Sequence, residues 1–162
     1  MHDPWGWPAW YLAVLGLYGL LLLGLAAYDA RHQRIPNVAV YPALAAGLAL
    51  ALAQPVGQWW SFVGAGLLAG VSLGLLALLT GGIGLGDAKL AALIGIVIGW
   101  PAVLVALFAA FAIGAVSGVL LIAMGRIGRR QPVPFGPALA AGAMVGFLGG
   151  PGVVRLLWPG LA

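Results

Sequence analysis

The sequence predicts an all-α, polytopic membrane protein with about six transmembrane helices. Of its 162 residues, 64% are hydrophobic and only 6% are charged, whereas about a quarter of the residues in a soluble domain carry a charge. The mean hydropathy is +1.12. Because a helix that crosses the bilayer needs about 20 apolar residues, the chain has room for about six such helices in one membrane-embedded domain, residues 1–162.

Polar or helix-breaking clusters separate six apolar runs, and each run is predicted to form a helix. The runs cover residues 9–28, 37–53, 60–80, 87–99, 102–124 and 137–157. The breaks between them, which are rich in Pro, Gly or Arg, cover residues 29–36, 54–59, 81–86, 100–101 and 125–135.

The fourth run, residues 87–99, is short for a membrane span. At a rise of about 1.5 Å per residue it covers about 20 Å, against a hydrocarbon core of about 30 Å. We expect one of two arrangements. Neighbouring helices shelter a helix that begins inside the membrane, or the preceding residues 81–86 dip into the membrane and line a wet cavity. Both arrangements bring Asp87 below the membrane surface.

Basic and aromatic residues have opposite distributions in the six-helix arrangement. Six of the seven basic residues fall on one side, which is therefore predicted to be cytoplasmic: Arg31, Arg34, Lys89, Arg126, Arg129 and Arg130. All seven tryptophans fall on the other side: Trp5, Trp7, Trp10, Trp59, Trp60, Trp100 and Trp158. This arrangement predicts that the N-terminus and the C-terminus both lie outside.

The composition excludes several kinds of site. With no cysteine, the chain has no disulfide, no thiolate zinc site and no cysteine nucleophile. Asp3, Asp29 and Asp87 are its only acidic residues, so carboxylate chemistry must use them. The basic residues are spread over separate loops and do not form the continuous face that nucleic acid binding requires. Anionic lipid headgroups are their expected partners.

Asp29 follows the first predicted helix and Asp87 begins the fourth, so both fall at the same cytoplasmic margin. An ionisable residue at or within a membrane span is costly and indicates a functional site. Two neighbouring carboxylates do not both ionise readily, which leaves one protonated acid beside one carboxylate, as in an aspartic protease. Asp3 falls on the opposite side and is expected to be solvated.

A glycine-rich turn precedes Asp87. It starts at Gly81 and includes Gly84 and Gly86, and glycines allow the backbone to take positive φ and to approach a substrate strand closely. The amino terminus of the following helix favours the ionised form of Asp87. A Gly-x-Gly-Asp sequence alone is weak evidence for a functional site, because glycines are common at the ends and interfaces of membrane helices. Its pairing with Asp29 strengthens the functional interpretation.

Three motifs follow one another along the chain. They are Asp29 followed by Arg34-Ile35-Pro36-Asn37, then Gly84-Leu85-Gly86-Asp87-Ala88-Lys89-Leu90, then Pro134-Phe135-Gly136-Pro137. Together they resemble the motifs of the prepilin peptidase family, membrane aspartic proteases of the GxGD type. The resemblance extends from the first predicted helix to the last.

The resemblance implies an endopeptidase that removes basic leader peptides from type IV prepilin, pseudopilin or Flp/Tad-type precursors. Such an enzyme acts at the cytoplasmic face of the bacterial inner membrane, with Asp29 and Asp87 as its catalytic pair and with no metal or organic cofactor. The matching positions expected to bind substrate or to shape the site are Gly84, Gly86, Lys89, Arg34, Pro36, Asn37, Pro134, Gly136 and Pro137. The sequence does not predict an oligomeric state.

Larger members of this family carry an extra cytoplasmic segment with paired cysteines, linked to methylation of the new pilin amino terminus. The present sequence contains no cysteine. We therefore expect a peptidase without methyltransferase activity, as in the short members associated with Flp/Tad-type pili.

Two alternatives use the same carboxylates. Tyr28-Asp29, the GxGD run and Pro137-Ala138-Leu139 also resemble the signatures of presenilin and signal peptide peptidase, but about nine spans do not fit into 162 residues. Outside the protease class, a small six-helix transporter or vitamin-binding subunit would use Asp29 and Asp87 for an ion or a substrate. A structural assembly subunit is a third interpretation.

Several of the motif residues also have structural interpretations. Lys89 either holds a carboxylate or the substrate backbone, or extends to the lipid headgroups. Arg34 either orients Asp29 or sets the topology, and topology is favoured. Residues 134–137 are expected mainly to shape the entry into the last helix.

Overall fold

The structure is a bundle of six α-helices. The computed structural model describes residues 9–54, 58–80, 84–125 and 135–157, and all regular secondary structure within these ranges is helical. In chain order the helices are α1 (Ala9–His32), α2 (Asn37–Leu52), α3 (Trp59–Thr80), α4 (Leu85–Ile98), α5 (Ala102–Ala123) and α6 (Gly136–Leu157). The predicted all-α class is confirmed.

Three helices in the described ranges are long and apolar enough to cross a membrane. They are α1 over Ala13–His32, α3 and α5. α2 and the part of α6 over Gly136–Gly149 are apolar but shorter. The chain is therefore a helical membrane protein, and the count of six spans stays a prediction.

α1 is longer at its carboxyl end than the sequence predicts. The predicted break begins at residue 29, but the helix continues through Asp29 to His32. It ends at Gln33, which has a positive φ of 52° and whose backbone N–H donates to the Asp29 carbonyl oxygen at 2.7 Å. This is the left-handed type of helix cap. Only the residue before Pro36 is driven away from helical geometry, so nothing local stops the helix at Asp29.

α4 is the helix that its neighbours enclose. It packs most extensively against α3 and also contacts α2, α5 and α6. Leu90, Ala91 and Leu93 are completely buried. This agrees with the first of the two predicted arrangements, a short helix sheltered by its neighbours. The second arrangement concerns residues 81–86, of which 81–83 lie outside the described residues.

Glycines bring two pairs of helices close together. A Cβ on Gly95 of α4 would stand 2.6 Å from the Ala65 carbonyl carbon of α3. A Cβ on Gly142 of α6 would stand 2.6 Å from the Ala110 backbone nitrogen of α5. Real Cβ atoms essentially never lie closer than 3.0 Å to such a neighbouring atom, and both distances are shorter than that. Small residues at such contacts are typical of helices that pack within a membrane.

The far end of α4 is joined to the start of α3. Ser61 Oγ donates a hydrogen bond of 3.2 Å to the Trp100 carbonyl oxygen, at the corner between α4 and α5. The 14 residues of α4 separate this end from Leu85 by about 20 Å. Trp59, Trp60 and Trp100 are all at least 40% exposed here, as interfacial tryptophans are.

Candidate active site

Asp29 lies in the last turn of α1 and is buried, with 5% of its surface exposed. Its Oδ2 accepts a hydrogen bond of 3.0 Å from the backbone N–H of Gly136, the first residue of α6. This bond joins residues 107 positions apart in the chain. A Cβ at position 136 would stand 2.6 Å from the same oxygen. Glycine therefore leaves the space that the carboxylate occupies.

Asp87 lies in the first turn of α4 and is 7% exposed. Its Oδ2 accepts a hydrogen bond of 3.1 Å from the backbone N–H of Gly84, the residue before the helix. An acidic side chain at the third helical position makes this contact in a capping box. α4 thus begins at Leu85, two residues earlier than predicted, because Asp87 caps the helix from within its first turn.

Gly84 and Gly86 are the described glycines just before Asp87. Gly84 has φ −79° and ψ 147°, an extended conformation, so it does not use the positive φ that glycine allows. A Cβ on Gly86 would stand 3.2 Å from the Cβ of Ile35. The small size of Gly86 therefore lets the start of α4 approach the connection between α1 and α2. Gly81 and the two residues after it lie outside the described residues.

Asp29 and Asp87 line the same cavity, which has a volume of about 300 Å³. The residues that line it are Asp29, Gln33, Arg34, Ile35, Asn37, Gly84, Gly86, Asp87 and Lys89. This space is many times larger than the minimum that a single water needs. The two carboxylates that the sequence assigns to one membrane face thus meet in a space that admits water.

Opposing electrostatic effects act on the two carboxylates. Asp29 lies at the amino terminus of α6 and Asp87 at that of α4, and the backbone N–H groups and dipole of a helix start favour negative charge. Like charges in one cavity disfavour simultaneous ionisation. Carboxylates that interact strongly lose their protons in two steps that belong to the pair. One aspartate is then available as an acid while the other is a base.

Lys89 contacts neither carboxylate in the hydrogen bonds of the described residues. Its Nζ donates to Asn37 Oδ1 at 2.9 Å and to the Tyr41 hydroxyl at 2.9 Å. Both acceptors are on the first turns of α2. The side chain is half-buried and reaches across to α2, a contact that the sequence does not predict.

Most of the predicted site residues meet at the cavity. Arg34, Asn37, Gly84, Gly86 and Lys89 line it together with the two aspartates, and Gly136 contacts Asp29 directly. Among the described residues, Pro36 and Pro137 do not line it.

Pro36 is the N-cap residue of α2 with φ −69°, and Pro137 is the second residue of α6. These positions suit proline, whose missing N–H costs nothing at a helix start. Pro134 lies outside the described residues.

Two lining residues, Gln33 and Ile35, are not among the predicted site residues. Both stand in the connection between Asp29 and Asn37, so their position in that short segment was the available signal. Within the described ranges, no group of three His, Cys, Asp or Glu side chains is arranged to hold a metal ion. The chemistry that the lining residues offer is that of a carboxylate pair.

The chain is similar to known proteins over most of its length. Residues 14–119, which include Asp29 and Asp87, match the model of the Type IV leader peptidase family. The prepilin leader peptidase/N-methyltransferase of Bacillus subtilis strain 168 is 37% identical over 142 residues, covering 83% of this chain and 54% of the relative. The protein of the same name from Pseudomonas aeruginosa is 33% identical over 165 residues, covering 95% and 54% respectively.

The chain thus spans about half the length of the curated relatives that it matches. No solved structure is similar enough to count as a match. The family match covers more than half of the chain and includes the first two of the three sequence motifs, and the family that it names is not that of presenilin. This chain belongs to the type IV leader peptidase family.

Proposed function

We propose that this protein is an aspartic endopeptidase that cleaves leader peptides from type IV prepilin-like precursors, either Flp/Tad-type pilins or pseudopilins. The observation that carries the proposal is the shared cavity of two buried aspartates, Asp29 and Asp87. Family membership supports it, because the relatives are named prepilin leader peptidases. The enzyme acts at the cytoplasmic face of the bacterial inner membrane.

The two aspartates divide the reaction between them. The ionised one takes a proton from a water, whose oxygen then attacks the carbonyl carbon of the scissile peptide bond. The protonated one donates to the carbonyl oxygen as negative charge develops there. When the tetrahedral intermediate collapses, the C–N bond breaks and the leaving amine takes up a proton. Because Oδ2 of each carboxylate accepts a backbone N–H, we assign the reacting contacts to Oδ1.

The substrate segment must be extended where it is cut. Helical carbonyl groups are already hydrogen-bonded and shielded, so a leader followed by an apolar helix has to unwind at the scissile bond. A glycine before that bond, as in the substrates that the family resemblance implies, eases the unwinding. The apolar part of the substrate can then remain among the membrane helices.

Replacement of either aspartate tests this proposal. Asp29→Ala, Asp29→Asn, Asp87→Ala and Asp87→Asn are co-expressed with a prepilin precursor in bacterial membranes. We expect processing to fall by at least about 100-fold in each variant, the contribution of one general acid or base. A gel shift measures processing, and sequencing of the new amino terminus identifies the bond that is cut.

Asp3→Asn is the matched control, since it removes the third carboxylate of the chain from the predicted outer tail. It should process the precursor at the wild-type rate. Membrane levels of all variants establish that they fold. Full processing by both alanine variants would contradict the peptidase proposal, and ion- or ligand-dependent uptake without proteolysis would instead favour the transporter.

We also propose that the product is not methylated. The chain lacks the cysteine pairs of the segment linked to methylation in larger family members, because it contains no cysteine. Mass spectrometry of the product from the same experiment, with S-adenosylmethionine supplied, should find an unmodified amino terminus. A methylated product would contradict this proposal and leave the peptidase proposal intact.

A further inference from the structure

Lys89 is held at the cavity by two residues of α2. Its Nζ donates to Asn37 Oδ1 and to the Tyr41 hydroxyl, both at 2.9 Å, and lies 4.8 Å from the centroid of the Tyr41 ring. Asn37 and Tyr41 are four residues apart, so they lie on one side of the helix. Tyr41 does not line the cavity and belongs to none of the three sequence motifs.

Neither acceptor in this cradle carries a charge. The amide oxygen of Asn37 and the hydroxyl of Tyr41 are neutral and form no ion pair with Lys89. A lysine ammonium has three N–H donors, and Asn37 and Tyr41 take two of them. No other residue in the described part of the chain accepts from Lys89, so the third donor is available to a ligand that enters the cavity.

Resting on the proposed peptidase function, we propose that Tyr41 is a positioning residue for substrate binding. Together with Asn37 it holds the Lys89 ammonium so that the third donor binds an oxygen of the substrate beside the scissile bond. That oxygen belongs to a side-chain carboxylate or to a main-chain carbonyl.

Positioning matters because the lysine stem is flexible. A free lysine side chain loses rotamer entropy when it is fixed, and ordering it before the substrate arrives removes that cost from binding. Lys89 lies two residues after Asp87 and lines the same cavity. An oxygen bound there fixes the substrate next to the carboxylate pair.

Tyr41→Phe tests the positioning role, because it keeps the aromatic ring and removes the acceptor. We expect KM for a prepilin precursor to rise about threefold to tenfold, the effect of one hydrogen bond, with kcat within about twofold of wild type. Tyr28→Phe is the matched control. Tyr28 is similarly exposed, at 43% against 53% for Tyr41, its ring stacks on His32, and it does not line the cavity.

A double-variant cycle shows whether Tyr41 acts through Lys89. In the Lys89→Met background, Tyr41→Phe should change KM no further, because the group that it positions is gone. Asn37→Ala is a second variant that removes the other acceptor, and it should also raise KM. If the effects of Tyr41→Phe and Lys89→Met on KM are fully additive, the inference is overturned. A wild-type KM in both Tyr41→Phe and Asn37→Ala would also overturn it.

Two precursors that differ by Glu→Gln beside the cleavage site identify the oxygen. If Lys89 binds a carboxylate, Lys89→Met abolishes the preference for the Glu precursor. If Lys89 binds a main-chain carbonyl, Lys89→Met raises KM equally for both precursors. Failure of the wild-type protein to cleave either precursor would overturn the proposed function itself, whereas cleavage with unchanged KM in the variants overturns the role of Tyr41 alone.

Discussion

Gly136 determines where the Asp29 carboxylate lies. Its N–H holds Oδ2, and its lack of a Cβ leaves the space that this oxygen fills. Gly84 holds Asp87 through its backbone in the same way, but a Cβ there would stand 3.4 Å from Oδ2, an ordinary contact. The two glycines donate similar bonds under different steric constraints.

Gly136→Ala should therefore impair processing far more than Gly84→Ala does. The added methyl group at position 136 displaces the Asp29 carboxylate, and a displacement of about 1 Å can cost about 100-fold in rate. The Gly84→Ala variant keeps the backbone hydrogen bond to Asp87, so its cleavage rate should fall much less. Cleavage rates of a prepilin precursor, normalised to membrane level, measure both. Equal losses would contradict the steric role of Gly136.

Individual residues of the site were predictable where charge is rare. Asp29 and Asp87 stood out because an apolar chain with three acidic residues offers few alternatives. The position of the Lys89 ammonium was not predictable, because its partners Asn37 and Tyr41 lie on another helix, 52 and 48 residues away. The hydrogen bond from Gly136 to Asp29 depends on a tertiary contact for the same reason.

At the scale of elements, the apolar runs predicted all six helices, and the largest error was at the end of α1. Hydrophobic periodicity and breaking residues locate a helix, whereas its last turn depends on a cap. At that end the cap is Gln33, with φ 52°, a residue type that does not signal a left-handed cap. The pairing of α3 with α4 and of α5 with α6 was not predicted, because it depends on which glycines face a neighbour.

Gly142→Ala should separate α5 from α6. Its methyl group would overlap Ala110 of α5, and overpacking of a close contact costs about 1–3 kcal/mol. Gly149→Ala on the same helix has nothing within 4 Å of the added Cβ and should be neutral or slightly stabilising. Thermal unfolding in detergent compares them. A wild-type Tm for Gly142→Ala would show that α5 and α6 pack less tightly than their contacts indicate.

For the whole molecule, the two ends of α4 define two faces. The carboxylate cavity lies at one end, and the Ser61–Trp100 contact with its exposed tryptophans lies at the other. The excess of basic residues near the cavity predicts that this end is cytoplasmic. The orientation in the membrane follows from that charge distribution and not from the fold.

Single cysteines test the orientation in a chain that has none of its own. His32→Cys, near the cavity, should resist a membrane-impermeant maleimide in spheroplasts and react after the membrane is opened. Gln58→Cys, before α3, should react in intact spheroplasts. Both residues are exposed, and the parent chain is the unlabelled control. The reverse pattern would place the cavity outside, and labelling of both from one side would contradict the six-span arrangement.

The bond between Gly136 and Asp29 also has a consequence for biosynthesis. A ribosome adds about 5–20 residues per second, so the 107 positions that separate the two residues take about 5–20 s to translate. Throughout that interval Asp29 has been synthesised, but the Gly136 N–H that donates a hydrogen bond to its carboxylate has not. In a nascent chain the Asp29 carboxylate therefore lacks this donor until Gly136 has been made and α6 packs against α1.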